Sequence, residues 1–450
     1  MLRISDNIDC HVGRIVFRYP RYQPCADSGG RVTLQENALL PAAYAENLAN
    51  PAPAHTKVRN ALRRWSGFDL MPSEEVVRQY GAGLWITDPV AERFVEEVYY
   101  GDIGPERGRA LLDRALTEGI HAVDDAPESM RALFAEFDTL PSWADPQLIE
   151  AGAAVWRRWG YDMGSIANAG TMDTYTEGWL ATPLSLAGGY AGQGAMHRHL
   201  ETSRWWLECA RPGATLDRYS VARQITMKIR VMHVSVRRGV RKHPEWRREQ
   251  WGEPISQSEM LLTLIAGSVA PGLGLWAVGY LTTRSEMIAA LHFCRYLGYL
   301  LGVRCDDIYP ETVADAVRIL YHFDATRAYD GGHASRELVE SFVPSFTPSS
   351  GASPANRLRG LFHLQLQAGF TRLFMLPWNR RLYRIPNGWI GTAALVARAP
   401  FVAAVEIARH IAPAVDRHWQ RGKMRRWEHW IDWQSGAHTH EFRDLSAMRR

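Results

Sequence analysis

The stretch Val221-Ala222-Arg223-Gln224-Ile225-Thr226-Met227-Lys228-Ile229-Arg230-Val231-Met232-His233-Val234-Ser235-Val236-Arg237-Arg238-Gly239-Val240 sits near the middle of this 450-residue chain. Ile225, Ile229, Met232, Val236 and Val240 recur at steps of three and four, the period of an α-helix with one apolar side. Beside that line runs a second at the same spacing: Thr226, Arg230, His233 and Arg237. A neutral imidazole between two cations is suited to hold a metal while the arginines answer an anion. A histidine on a helix is also commonly a satisfied core or boundary residue, with arginines marking the wet edge. Upstream, Arg198, Thr202 and Trp205 share one helical stripe, so two helices each set an arginine beside a polar or ligating group.

Outward from this centre the punctuation is helical. Asp88-Pro89, Gly104-Pro105, Pro127-Glu128 and Asp145-Pro146 each open a run with helical spacing, an acid or proline standing at the start. Alternating β-branched runs bounded by Asn-Gly or Asp-Gly turns are nearly absent, so the fold class is all-α. Residues 1–70 lack sustained periodicity and read as an extended arm or an irregular wrap with short helices. Ser345, Pro348, Ser349, Ser350, Gly351, Ser353 and Pro354 mark 345–357 as a linker between a domain at 71–344 and a helical extension at 358–450.

Several motifs resemble a known family. Arg198-x-x-x-Thr202 followed by His233-x-x-x-Arg237 is similar to the signature of the family that holds latex clearing protein and the MpaB-type oxygenases. Leu140-Pro141-Ser142-Trp143, Gly252-x-Pro254-Ile255-Ser256-Gln257, Arg295-x-x-Gly298-x-Leu300-Leu301-Gly302 and Pro310 follow in the family's order. The resemblance implies a globin-like helical domain holding haem b, with His233 as proximal iron ligand. It implies oxidative cleavage by dioxygen of a carbon–carbon double bond in an isoprenoid or other unsaturated lipid. Arg198, Arg230, Arg237 and Arg295 become candidates for pairing the propionates or ordering the pocket, and Thr202 for a distal hydroxyl. Rubber-cleaving members place a lysine immediately before the threonine. Here that position is Glu201, a carboxylate that alters the distal field and cannot act as a neutral amine ligand.

Two readings without oxygenase turnover stay open: a haem- or lipid-binding sensor or carrier, and a helical scaffold in which His233 is structural. Glu177 is the nearest upstream carboxylate to the Arg198 helix, either a base or a surface residue. His292 is expected in the core. His197 and His199, two apart, point to different sides of a helix and do not make a metal pair. Gly272-Leu273-Gly274 lacks the preceding strand of a dinucleotide site and reads as a helix junction.

The formal charge of +4 gives no general argument for nucleic acid. The five cysteines, Cys10, Cys25, Cys209, Cys294 and Cys305, never stand in C-x-x-C spacing, which disfavours zinc, disulfide and c-type haem frameworks. Free thiols and an N-terminus without an apolar leader give the expectation of a cytoplasmic protein. Seventeen tryptophans suit a flat cofactor or hydrocarbon, and equally a large helical core. Ile390–Ile411 is apolar but holds Arg398, Pro400, Glu406 and Arg409, so the reading is not a membrane span. It lies against the domain or on a membrane surface. The basic tail, Arg417–Arg426, reads as a solvated helix end or a surface contact.

Overall fold

The computed structural model describes residues 40–51, 53–187 and 194–436, with the backbone of a small antiparallel hairpin, Cys10–Val12 against Ile15–Phe17. Apart from that hairpin the regular structure among the described residues is helical, as expected. Gly188, Gly189, Gly192, Gln193 and Cys25 lie outside the described residues.

The local signals act as read. Asp88 caps the helix Pro89–Phe94 by accepting from the Ala91 amide at 3.2 Å, and Asp145 caps Pro146–Trp159 through the Gln147 amide at 2.8 Å. Proline at the first helical position removes an N–H that would have had no partner there. The core is organised by the pairing of Pro146–Trp159 with Arg284–Leu300. A Cβ at Gly152 would lie 2.2 Å from the Ala289 carbonyl oxygen, so glycine is what lets the two backbones approach. Trp156 stacks on Trp206 at a centroid distance of 3.8 Å, and Trp159, Trp427 and Trp430 are buried with it; these tryptophans build core. Gly272 and Gly274 lie against Met287 and Ile166, as a helix junction requires.

The 345–357 loop separates helices that share one core. Phe342 before it and Phe346 at its start belong to the same buried cluster as Leu366, Phe370 and Trp427 after it. Buried charge also fastens the last helices to the body. Asp162 meets Lys423 at 3.1 Å and Arg398 at 2.9 Å, and Glu286 meets Arg158 at 2.9 Å and Arg409 at 2.6 Å.

Trp389–Ile411 is long and apolar enough to cross a membrane by length and composition alone, a weak signal that buried core helices also give, and its Glu406 and Arg409 are buried against the protein. A second apolar stretch, Gln257–Val278, also meets that measure and is mostly buried inside the fold.

Candidate functional site

The His233 helix runs from Val221 to Lys242, capped by Ser220, whose hydroxyl accepts from the Arg223 amide, and it ends on Arg241 and Lys242, which suit the helix C-terminus. Its apolar seam is deep only at the C-terminal end, where Val236 and Val240 are buried while Ile225, Ile229 and Met232 are half-buried; on the polar line Thr226, Arg230 and Arg237 are buried and His233 half-buried. A buried guanidinium is stable only with partners, and other segments deliver them.

Arg230, 1% exposed, forms a bidentate pair with Asp88, Nε donating to Oδ2 at 2.6 Å and Nη2 to Oδ1 at 2.9 Å. Its Nη2 also reaches Glu136 at 2.5 Å. Burial alone lifts the Asp88 carboxyl, but Arg230 beside it, by charge and hydrogen bonds, holds it below the usual carboxylate range. Arg237 donates to the carbonyls of Pro254 at 3.0 Å and Ile255 at 2.7 Å and meets Glu92 at 3.3 Å. Ile255 holds a left-handed φ of 53°, uncommon for a β-branched residue, and its carbonyl is the one Arg237 captures.

Between these arginines His233 looks into a narrow cleft, walled by Met260, Leu301 and Val303, with Asp88 and Gln257 at its polar side. Among the described residues nothing hydrogen-bonds the imidazole. Its surroundings strip water from it, and the Arg237 cation adds to this, so its pKa is pushed down to about 4. At neutral pH it therefore presents a free lone pair, the state a metal ligand needs. The Arg230 Nη1, buried and without an acceptor, is a second unused donor at the same place.

The loop that closes the cleft is held by one side chain. Gln257 Nε2 donates to the carbonyls of Thr87 at 2.8 Å and Gly302 at 2.9 Å, and its Oε1 accepts from the Arg304 amide at 2.6 Å. Gly302, at φ 82°, is packed so that a Cβ would lie 2.1 Å from Asp88 Oδ2 and 2.7 Å from Arg230 Nε. Glu259 stands next to this assembly; burial pushes its carboxyl up to about 8 against the opposing Arg237 charge.

The remaining predicted residues are elsewhere. On Gly194–Cys209, Arg198 donates to Glu201 at 2.6 Å and His197 approaches the other Glu201 oxygen at 3.3 Å, so the carboxylate is held by side chains of its own helix. Thr202 lies exposed on that helix. Arg295 meets Asp306 at 3.2 Å and lies 4.2 Å over the Trp143 ring, away from the residues lining the cleft. His292, expected in the core, is half-buried and accepts from the Asp145 amide at 3.0 Å, whereas His199 is buried among Phe342, Phe346 and Trp430. No three metal-binding side chains cluster among the described residues.

Glu177 is not on the surface. It is buried, takes the Ala328 amide at 2.7 Å and the Tyr329 amide at 3.2 Å, and its carboxyl is pushed up to about 7 by desolvation. A separate cavity of about 390 Å³ opens beside it, lined with Tyr44, Tyr80, Trp179 and Phe323. Asp88, Glu92 and Glu136 were absent from the predicted site. Asp88 was visible in the sequence as a helix cap, and nothing local marked it as the partner of Arg230.

Comparison with known proteins adds the following. The family model described as ER-bound oxygenase mpaB/B'/rubber oxygenase, catalytic domain, matches residues 155–409. A rubber oxygenase of Streptomyces sp. (strain K30) is 26% identical over 297 residues, 64% of this chain; the match spans 64% of that relative's length. A solved structure of latex clearing protein LCP in the closed state aligns with a TM-score of 0.43 at 19% identity, covering 76% of this chain and 84% of that one.

Proposed function

This chain belongs to the family of MpaB-type and rubber oxygenases, and from that premise we propose that it is a haem b-dependent oxygenase, with His233 as the iron ligand, acting on an apolar unsaturated substrate such as an isoprenoid or another lipid. The observation that carries the reading is the His233 imidazole: neutral, without a hydrogen bond, and facing a cleft bordered by buried arginines. The donor set suits the group. A neutral imidazole binds iron, and the spare Nη1 of Arg230 suits a carboxylate of the macrocycle. As it stands the cleft has room for about one water molecule, far below the roughly 300–1,000 Å³ usual for ligand pockets, so a macrocycle would require its walls to open.

When bound, haem supplies the dioxygen chemistry; the chain's residues hold and shield it. Desolvation keeps His233 unprotonated far below neutral pH. Asp88 and Glu136 hold Arg230 in a fixed orientation, and the Pro254 and Ile255 carbonyls do the same for Arg237. Met260, Leu301 and Val303 exclude water and favour an apolar chain. On the neighbouring helix Arg198 compensates the Glu201 charge, and Thr202 carries a hydroxyl that could supply a proton if bound haem reached it.

The absorption spectrum of haem-loaded protein tests the ligand. A Soret band is expected in wild type and its loss in His233→Ala; a band unchanged in the variant sinks the assignment. Oxygen-18 labelling tests the reaction, with label expected in both carbonyl products. The ion-paired Glu201 favours one second reading, a haem- or lipid-binding carrier without turnover. Steady dioxygen consumption with a lipid substrate decides against it.

A further inference from the structure

The helix Trp389–Ile411 carries its charge on the inside. Glu406, 1% exposed, pairs with Arg409 at 2.7 Å, Arg409 with Glu286 at 2.6 Å, and Arg398 with Asp162 at 2.9 Å; Leu395 and Val402 are buried beside them. The opposite side is apolar and bare. Ile390 is 70% exposed, Phe401 65% and Ile411 78%, with Val396 and Ile407 between them. Ile390, Ala397, Phe401, Ala404 and Ile411 follow one another at helical spacing, so this is a continuous stripe of about 34 Å. The antiparallel neighbour Pro354–Phe374 extends the surface with exposed Leu358 and Phe362. The two helices cross so closely that a Cβ at Gly388 would meet the Ala368 carbonyl oxygen at 2.1 Å.

The rim of this surface is basic and aromatic. Arg372 lies 3.5 Å over the ring of Trp389, and Trp378 is half exposed. Arg380 donates to the Arg372 carbonyl at 2.6 Å; burial and then the charges of Arg372 and Arg381 push its pKa down. Among the described residues no carboxylate pairs with Arg372, Arg380 or Arg381. A soluble surface rarely leaves so long an apolar stripe uncovered.

We propose that this surface docks on an anionic phospholipid bilayer, with the Phe401 stripe in the acyl boundary and Trp378, Trp389 and the arginines at headgroup level. The composition is that of an interfacial helix: an apolar side, tryptophans at the boundary, and cations able to meet phosphate. A symmetric second copy would face apolar surface equally well but would bring the same unpaired arginines together, which is unfavourable. The inference does not rest on the oxygenase reading.

The test is co-sedimentation of the full chain with vesicles of phosphatidylcholine, alone or mixed with phosphatidylglycerol. Wild type is expected to pellet with the anionic vesicles. The double variant Phe401→Glu/Ile407→Glu is expected to lose binding on the order of a hundredfold. Arg380→Glu/Arg381→Glu should lose roughly tenfold or more, and only on the anionic vesicles. Phe401, Ile407 and Arg381 are exposed, so circular dichroism and melting should not change for their substitution. Arg380 is half-buried and holds the Arg372 carbonyl, so if its pair melts early Arg381→Glu alone carries that arm, and if the first double variant melts early Ile407→Ser does. Failure of wild type to pellet with either vesicle overturns the proposal, as does binding indifferent to these substitutions. A lipid-free dimer that Phe401→Glu dissolves assigns the surface to a second copy and overturns it as well.

Discussion

In the His233 helix the inward arginines meet carboxylates from distant segments: Asp88 and Glu136 for Arg230, Glu92 for Arg237. In the Trp389 helix Arg398 and Arg409 do the same with Asp162 and Glu286. The outcomes differ because of what remains unsatisfied. Around His233 an imidazole and a guanidinium nitrogen are left without partners inside a cleft. Along Trp389–Ile411 Glu406 Oε1 and Arg409 Nε are also without hydrogen-bond partners, but they are packed within ion pairs inside the fold and not along a cleft, and what remains uncovered is apolar surface. Buried charge of the same kind thus frames a cleft in one place and anchors a helix in the other.

The contrast is broken most directly by removing one arginine from each helix. Arg230→Ala leaves Asp88 buried without its counter-charge and is expected to cost about 3–5 kcal/mol in urea unfolding. Arg409→Ala also orphans a buried carboxylate, Glu406, which keeps only the Leu281 amide at 3.2 Å, but Glu286 keeps Arg158 at 2.9 Å, so the expected cost is somewhat smaller, about 2–4 kcal/mol. An equal or reversed order would mean that the first ion cluster is not the tighter one. Next in size, Gly302→Ala forces a methyl group into the space between Asp88 and Arg230 at a left-handed φ, at about 1–3 kcal/mol. A neutral result there would show that the cleft loop can shift freely.

A smaller effect concerns pH. The Glu259 carboxyl is pushed up to about 8, so the native state keeps a proton that the unfolded chain releases near the ordinary carboxylate value. That stabilisation is complete below the unfolded pKa and is lost as pH rises through about 8. His233, at about 4, has the opposite sign and costs stability only as pH falls below about 6.5, so it is silent in this window. Melting of wild type between pH 7 and 9 should therefore fall relative to Glu259→Gln, on the order of 1 kcal/mol. Parallel curves would refute the assignment. Smallest of all, Phe401→Glu on the outer side of the Trp389 helix should change stability by no more than about 0.5 kcal/mol.

What could be read from the sequence were features whose causes are local. The caps Asp88 and Asp145, the all-helical class, the glycine junction at 272–274 and the line Arg230–His233–Arg237 all depend on spacing within a few residues. The partners of that line did not show, because Asp88 and Arg230 stand 142 residues apart and no periodicity records such a meeting. Glu177 looked like a surface residue for the same reason; the amides that hold it belong to Ala328 and Tyr329. Arg198 and Arg295 had the expected spacing but found nearer acids, Glu201 and Asp306. In Trp389–Ile411 the charges argued against a membrane span and left a place against the domain or on a membrane surface, and only the fold shows Glu406 and Arg409 facing inward.

The Gln257 carboxamide touches the chain at Thr87, Gly302 and Arg304. During synthesis, which runs from the N-terminus, the segment around Asp88 is made long before either partner segment emerges. Asp88 and Arg230 can find one another once residue 230 is out, but the clasp over them waits for residue 304. The cleft is thus a late product of translation, and a ribosome stalled before that point holds a helix with His233 already formed and nothing yet to enclose it.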